Sequence, residues 1–383
     1  MRRAWACFGT VVVWLFACEG DPGSGEGGGG APATTTTAST SGPGGPGAST
    51  SSSSSGAGGA GGEAPALDPV FVAIGAGAWS ATSCDRGQTW STQELSADRD
   101  DHSEWAAFGG LAFGNGAFVM GTGWGYPGHV IRSVDAMTWV DLPDAAFPDG
   151  GFDSSIGGVA FDGAQHLLFG SEIWASPDGA TWTVTGRSLP PGSNQLRQLR
   201  AFPSGLIVAS VETQYGNDHA LGNWVTVSTD GGQSWTEGTG YDPDCSSPIQ
   251  HWGDIHLSNG VLLVGADALC RSTDLGATWS VGALPGQGAV RDIFSDGTDF
   301  YATSGSRLYR SPDGADWEES ADLSTEVAHG AWGDGTYVVM SGDGARVFSS
   351  ADGMTFEEGT VTTALGPAVV RDLAVGCLPD ACP

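Results

Sequence analysis

The sequence predicts an all-β ring of seven blades, each a four-stranded antiparallel meander, and three observations carry that expectation. A short motif recurs seven times. Residues 83–90 (SCDRGQTW), 228–235 (STDGGQSW) and 272–279 (STDLGATW) give eight-residue copies; 133–139 (SVDAMTW), 176–182 (SPDGATW) and 311–317 (SPDGADW) give seven-residue ones. The last, 350–356 (SADGMTF), carries Phe where the others carry Trp. From first Ser to first Ser the copies step by 50, 43, 52, 44, 39 and 39 residues, the length of one propeller blade. The ends of the region also complement each other, and this joins a row of blades into a closed seven-bladed β-propeller.

Taken in order, residues 1–18 read as an export signal: Arg2-Arg3, then an apolar run from Ala4 through Ala17 that is too short to span a membrane. Leu15-Phe16-Ala17-Cys18 is similar to a bacterial lipobox, which would make Cys18 the lipidated first residue of the mature protein; the alternative is an ordinary signal peptide. Residues 19–66 are mostly Gly, Ser, Thr, Ala and Pro. Such a segment cannot bury a core and is expected to be a flexible spacer with a reach of about 35–40 Å. The propeller is expected over 67–383.

Its first blade lacks an innermost strand, since 70–75 already reads as a second strand and 78–83 as a third. At the far end, 369–376 (VVRDLAVG) matches Val290-Arg291-Asp292-Ile293, yet nothing follows that would continue a blade. The C-terminal strand is therefore expected to become the inner strand of blade one. Ring closure of this kind protects edges that an open sheet would expose. Blade six shows the plan of the others: strands over 289–294, 299–303 and 306–310, then the motif turn, then 316–319. Phe113, Phe202, Leu257 and Trp332 match Phe294, an apolar position suited to packing between blades.

The motif's chemistry is that of a turn. Ser and Asp side chains bond nearby backbone N–H groups, Gly supplies a left-handed conformation, and Trp opens the next strand with a large apolar face. The seven aspartates are expected to hold turns. The motif resembles the Asp-box, or bacterial neuraminidase repeat, and the resemblance covers nearly everything after the first sixty-odd residues. It implies a propeller of the sialidase superfamily, whose members include non-enzymatic propellers as well as glycosidases. The sialidase pattern combines three substrate-gripping arginines, a Tyr–Glu pair and an Asp. Arg200, Arg291 and Arg371 are inner-strand arginines, and Glu212 and Tyr215 share a loop. No Arg-Ile-Pro is present near the start of the ring, and seven motifs fit a six-bladed sialidase ring poorly.

Composition narrows the function. The Lys+Arg total of 14 is all arginine, which excludes Schiff-base lysine chemistry and a P-loop lysine. A formal net charge of −30 repels phosphate backbones, so nucleic acid is not an expected partner. Cys84, Cys245, Cys270, Cys377 and Cys382 are disulfide candidates in an exported chain. Cys245 with Cys270 would join the approach to blade five to its third strand. Cys84 with Cys377 or Cys382 would lock the ring, and a local Cys377–Cys382 bridge is the competing pattern. No cysteine or histidine cluster has zinc spacing.

Long loops point to binding. They run over 93–105, 211–223 and 236–252, and they carry Glu212, Tyr215, Tyr241 and His251. Their carboxylate density allows a calcium site, though no EF-type spacing is present; no other cofactor is expected. Aligning the inner strands on Phe294 places Asp254, Arg291, His329 and Arg371 three residues earlier in four consecutive blades. That is an arc of polar groups near the central channel, read either as a pocket for an anionic or polyhydroxyl ligand or as ion pairing between blades. The expected function is that of an exported, lipid-anchored, non-catalytic binding propeller, a monomer at the outer membrane or cell surface, with a glycan or protein partner. The alternative is a sialidase-like glycoside hydrolase.

Overall fold

A computed structural model describes residues 67–75, 79–95, 110–122, 128–147, 156–189, 196–213, 222–237, 254–265, 268–282, 284–286, 288–362 and 369–379. Seven antiparallel sheets follow one another along the chain and close into a ring. The inner strands of blades two to seven are Leu111–Gly114, Gly158–Phe161, Leu196–Phe202, Ile255–Ser258, Asp292–Ser295 and Val327–Gly333. Each touches its neighbour around the whole circle. The inner strand of blade one is Val370–Pro379, paired antiparallel with Leu67–Gly75 from Leu67↔Pro379 to Gly75↔Val370, with one register shift beside Ile74. The C-terminal closure expected from the sequence is present, and the paired strands run a few residues longer than the apolar pattern marks.

Seven apolar clusters hold the ring, one at each boundary between blades. The second strand of each blade explains them. Val70, Val72 and Ile74 face blade two, while Phe71 and Ala73 face blade seven. Successive side chains of a strand point to opposite faces, and both faces are covered here. Second strands therefore read as continuous apolar runs, such as Ala117–Thr122 and Thr336–Ser341. Close fits also occur between inner strands. A Cβ on Gly330 would overlap the Phe294 ring, so a blade-seven glycine makes room for the blade-six aromatic.

The seven Ser–Asp turns are built as the sequence implies. In each, the Ser hydroxyl donates to the Asp carboxylate at 2.8–3.2 Å. The same carboxylate accepts backbone N–H groups from the far side of the turn, as Asp274 does from Thr278 at 2.8 Å. The two motif lengths differ in backbone. Eight-residue copies place two successive residues at positive φ, Arg86-Gly87, Gly231-Gly232 and Leu275-Gly276; seven-residue copies place one, at Ala136, Gly179, Gly314 or Gly353. The turns also pack between blades. A Cβ on Gly276 would stand 2.6 Å from Val227 of blade four, and one on Gly179 2.6 Å from Val119 of blade two.

One element was not foreseen. Beyond the outermost strand of blade seven, Glu357–Glu358, the strand Thr360–Val361 pairs parallel with Thr89 and Trp90 on the outer edge of blade one. Blade one is thus gripped at its inner edge by the C-terminal strand and at its outer edge by this short strap.

Candidate functional site

In a meander of this order, motif turns lie at one face of the ring, and the starts of the inner strands lie at the other. The described strand ends on either side of 96–109, 214–221 and 238–253 all belong to that second face. At its centre, around the channel mouth, the inner strands bring together Gln198, Arg200, Asp254, Asp292, His329 and Asp372. The three aspartates are buried, at 6%, 6% and 7% exposure.

Two of the aspartates are held in the same way. Asp292 accepts the N–H of Ile293 at 2.9 Å and Asp372 that of Leu373 at 2.9 Å. The second oxygen reaches the next blade: Asp292 accepts from Gly330 N–H at 2.7 Å and Asp372 from Leu111 N–H at 3.0 Å. Arg200 crosses from blade four to Asp254 at 2.9 Å and lies 3.6 Å from Asp372. Gln198 donates to Asp254 at 2.8 Å. His329 lies 3.6 Å from Asp292 through Nδ1, and its Nε2 meets the Val370 carbonyl at 3.3 Å. Gly110 sits beside them at φ +77°, where a Cβ would stand 3.2 Å from the Asp372 carboxylate; glycine meets both the backbone and the space requirement.

Proton affinities are pushed apart within this group. Burial lifts Asp292 to about 7, helped by the charge of Asp254. Burial, the largest single influence, pushes Asp254 up too, but the Arg200 guanidinium and the hydrogen bonds to the carboxyl together hold it below its usual range. Burial opposes protonation of His329, yet contact with Asp292 raises it above its ordinary value. His256, next to Asp254, is kept neutral by burial, its value lowered to about 4. With Arg200 between the carboxylates, the space a bound cation would take is filled by a guanidinium. No group of three His, Cys, Asp or Glu among the described residues is placed to hold a metal ion.

Of the arc expected from sequence, Asp254 and His329 belong to this cluster. Arg291 instead extends to the exposed Glu326 at 3.2 Å, and Arg371 is half-buried on the closing strand. The backbone of Glu212 lies in the strand Leu206–Thr213 opposite Asn223. Tyr215, Tyr241, His251, Cys18, Cys245 and Cys382 lie outside the described residues. Asp292, Asp372 and Gln198 are not among the expected site residues, and Arg200 is expected only as an inner-strand arginine. The signal that finds the two aspartates is a repeated pair, Asp254-Ile255, Asp292-Ile293 and Asp372-Leu373; Arg200 and Gln198 have no such signal. Anchoring the alignment on Phe294 and Leu257 set Asp254 against Arg291 and Arg371, one residue out of step, and a one-residue slip exchanges the two sides of a strand.

The fold and this closed inner ring define the class: a seven-bladed β-propeller with a polar clasp at its channel mouth. No family model and no curated protein matches the chain. Among solved structures it is similar to YCF48 from Cyanidioschyzon merolae, with 13% identity, TM-score 0.49, and coverage of 72% of this chain and 96% of that one. It is also similar to a streptogramin B lyase, with 15% identity, TM-score 0.48, and coverage of 68% and 85%. For virginiamycin B lyase from Staphylococcus aureus the values are 14%, 0.46, 67% and 84%. At such distances the likeness is one of architecture, and the blade count rests on this chain's own sheets.

Proposed function

We propose that this chain is an exported, lipid-anchored, non-catalytic propeller of the Asp-box type, and that its loop-bearing face binds a protein or glycan partner. The observation that carries this reading is how the polar groups are used. The seven motif aspartates are occupied by turns, and Arg200, Asp254 and Asp372 are occupied by one another. Chemistry that needs an unengaged acid, base or cation is thereby disfavoured at both places, while long insertions gather at one face. A partner for that face is expected to engage Tyr215 and Tyr241, because tyrosines supply contact area at low entropic cost. Disulfides are part of the proposal: Cys245 with Cys270, and Cys84 with Cys377 or Cys382, or Cys377 with Cys382. Cys84, Cys270 and Cys377 are each half-buried, the partial shielding that such bridges favour.

One observation favours a hydrolase as the second reading, namely that Asp292 and Asp254 differ in proton affinity as an acid and a base would. Against it stands their engagement: Arg200 holds Asp254, and backbone N–H groups take both oxygens of Asp292. The test is a glycan and protein array screen with the chain from Ala66 onward, with each hit assayed for turnover. Binding without turnover is the expected result; turnover of any hit replaces this reading with the second. For the anchor, Cys18→Ala is expected to release the protein from the membrane fraction, and unchanged detergent partitioning would remove the lipid from the account.

A further inference from the structure

Arg187 stands on the connection from blade three to blade four, with its backbone held on both sides. Its N–H donates to the Thr185 hydroxyl at 3.2 Å. The next residue, Ser188, donates its N–H to the Gly232 carbonyl at 3.1 Å and accepts the Trp235 indole N–H at 2.7 Å. The Arg187 side chain is thereby laid over the motif turn of blade four. That turn carries Gly231-Gly232, where the other eight-residue copies carry Arg86-Gly87 and Leu275-Gly276. A Cβ on Gly231 would stand 3.8 Å from the Arg187 guanidinium carbon, and one on Gly232 3.7 Å from its Cδ, so the glycine pair leaves the room that this side chain takes. Among the described residues, Arg86, Arg200, Arg291, Arg307, Arg310 and Arg346 pair with carboxylates, and Arg132 and Arg271 donate to carbonyls. The Arg187 guanidinium has neither kind of partner there, and its Nη1 is buried without a hydrogen bond. The turn's own carboxylate, Asp230, is taken up by Ser228, Gln233 and Ser234. Beside the guanidinium opens a recess of about 390 Å³, lined by Thr185, Gly186, Arg187 and Gln233.

We propose that this recess binds a small hydroxycarboxylic acid, with its carboxylate on the Arg187 guanidinium and its hydroxyls on Gln233 and Thr185. A guanidinium presents a planar fork of N–H donors that a carboxylate matches, and a donor left without an acceptor is costly until one arrives. The recess has the size of a small-molecule pocket, roughly 300 Å³ or more. Charge selects among anions. One guanidinium balances one negative charge, and in a chain of net charge −30 a dianion such as phosphate would keep an excess charge that the surrounding field repels. The rest of the lining suits hydroxyls. The Gln233 side-chain amide, which has no hydrogen bond among the described residues, can both donate and accept. The Thr185 hydroxyl donates to the Ile173 carbonyl at 2.8 Å and keeps acceptor capacity beyond the Arg187 N–H. Gly186, at φ +67° with open space where a Cβ would stand, adds wall without narrowing the recess. The site adjoins a motif turn, on the face opposite the long loops, and is independent of the partner proposed for them.

The test titrates the full chain at low ionic strength, where such a pair is least screened, with gluconate as the probe. Sorbitol serves as its uncharged counterpart and inorganic phosphate as the competing anion. The reading is the Arg187 Nε–H resonance, identified by its loss in Arg187→Gln, together with calorimetry. Gluconate is expected to shift that resonance to saturation with a dissociation constant on the order of 1 mM, the strength that a ligand of this size reaches at ordinary efficiency. Sorbitol and phosphate should each bind at least about ten-fold more weakly, and so should gluconate to Arg187→Gln. Gln233→Ala should weaken gluconate while leaving acetate, which has no hydroxyls, unchanged. Melting temperature separates binding from support: with no protein partner to lose, Arg187→Gln should melt within ~2 °C of the wild type. Gluconate that does not saturate, sorbitol or phosphate that binds as tightly, or Arg187→Gln that binds as the wild type does would each overturn the proposal. An Arg187→Gln protein that melts far earlier or fails to fold would make this arginine a support for the motif turn, and would overturn it as well.

Discussion

Asp274 shows what the repeated aspartates do. Its carboxylate takes the Thr278 hydroxyl at 2.6 Å, the Thr278 N–H at 2.8 Å and the Ser272 hydroxyl at 2.8 Å. Those bonds, the Thr278 hydroxyl foremost, hold it down to about 2. Asp230, held first by the Ser234 hydroxyl, and Asp352, held first by the Thr355 N–H, are likewise lowered to about 2. A group lowered in the folded state contributes stability above its unfolded value, and that contribution is lost as pH falls. The turns should therefore weaken between about pH 4 and pH 2. Asp274→Ala is expected to lower the melting temperature by roughly 2–4 °C, to flatten the acid limb of the melting profile, and to leave partner binding intact. A folded Asp274→Ala protein that binds nothing would show that this turn touches the partner.

At the scale of strands, the seam of blade one carries the most consequence. Val370–Pro379 supplies the ladder for Leu67–Gly75 and the apolar contacts of Val370, Leu373 and Leu378. Removing 369–383 would leave Leu67–Gly75 with an open edge, and such edges pair with other chains. Aggregation or early proteolysis of the truncated chain is expected by light scattering and limited digestion. A monomeric truncation that melts with the full chain would contradict this topology. The strap Thr360–Val361 cannot substitute, because it grips the opposite edge, along Gln88 to Trp90. Much of this was legible beforehand. The Ser–Asp turns fixed where third and fourth strands meet, and the unmatched ends of the region fixed which strand closes the ring. Strand limits were less legible: blade six begins its described ladder at Asp292, where the apolar pattern starts at Ala289, since local hydrophobicity does not record where cross-strand pairing begins. The strap is two residues long and has no pattern of its own to read.

For the whole molecule, the site was harder to read than the fold for a physical reason. The ring follows from a motif repeated in every blade, whereas the channel-mouth cluster is built from residues that differ between blades. Arg200, Asp254, Asp292, His329 and Asp372 come from five strands spread over more than 170 positions, and only closure brings them together. The function proposed above divides the labour between a channel mouth whose polar groups engage one another and a second face that meets a partner. The most direct test compares two variants against the tightest array hit, each measured for both affinity and melting temperature. Arg200→Met removes the cation between Asp254 and Asp372, and breaking such a buried pair costs about 3–5 kcal/mol of stability. Tyr215→Ala with Tyr241→Ala trims the loops instead. The account predicts that Arg200→Met melts much earlier yet, while folded, binds with unchanged affinity, and that the tyrosine variant melts normally and loses at least about ten-fold in affinity. Lost binding in a stable Arg200→Met protein, with the tyrosine variant binding as before, would place the partner in the channel and contradict it.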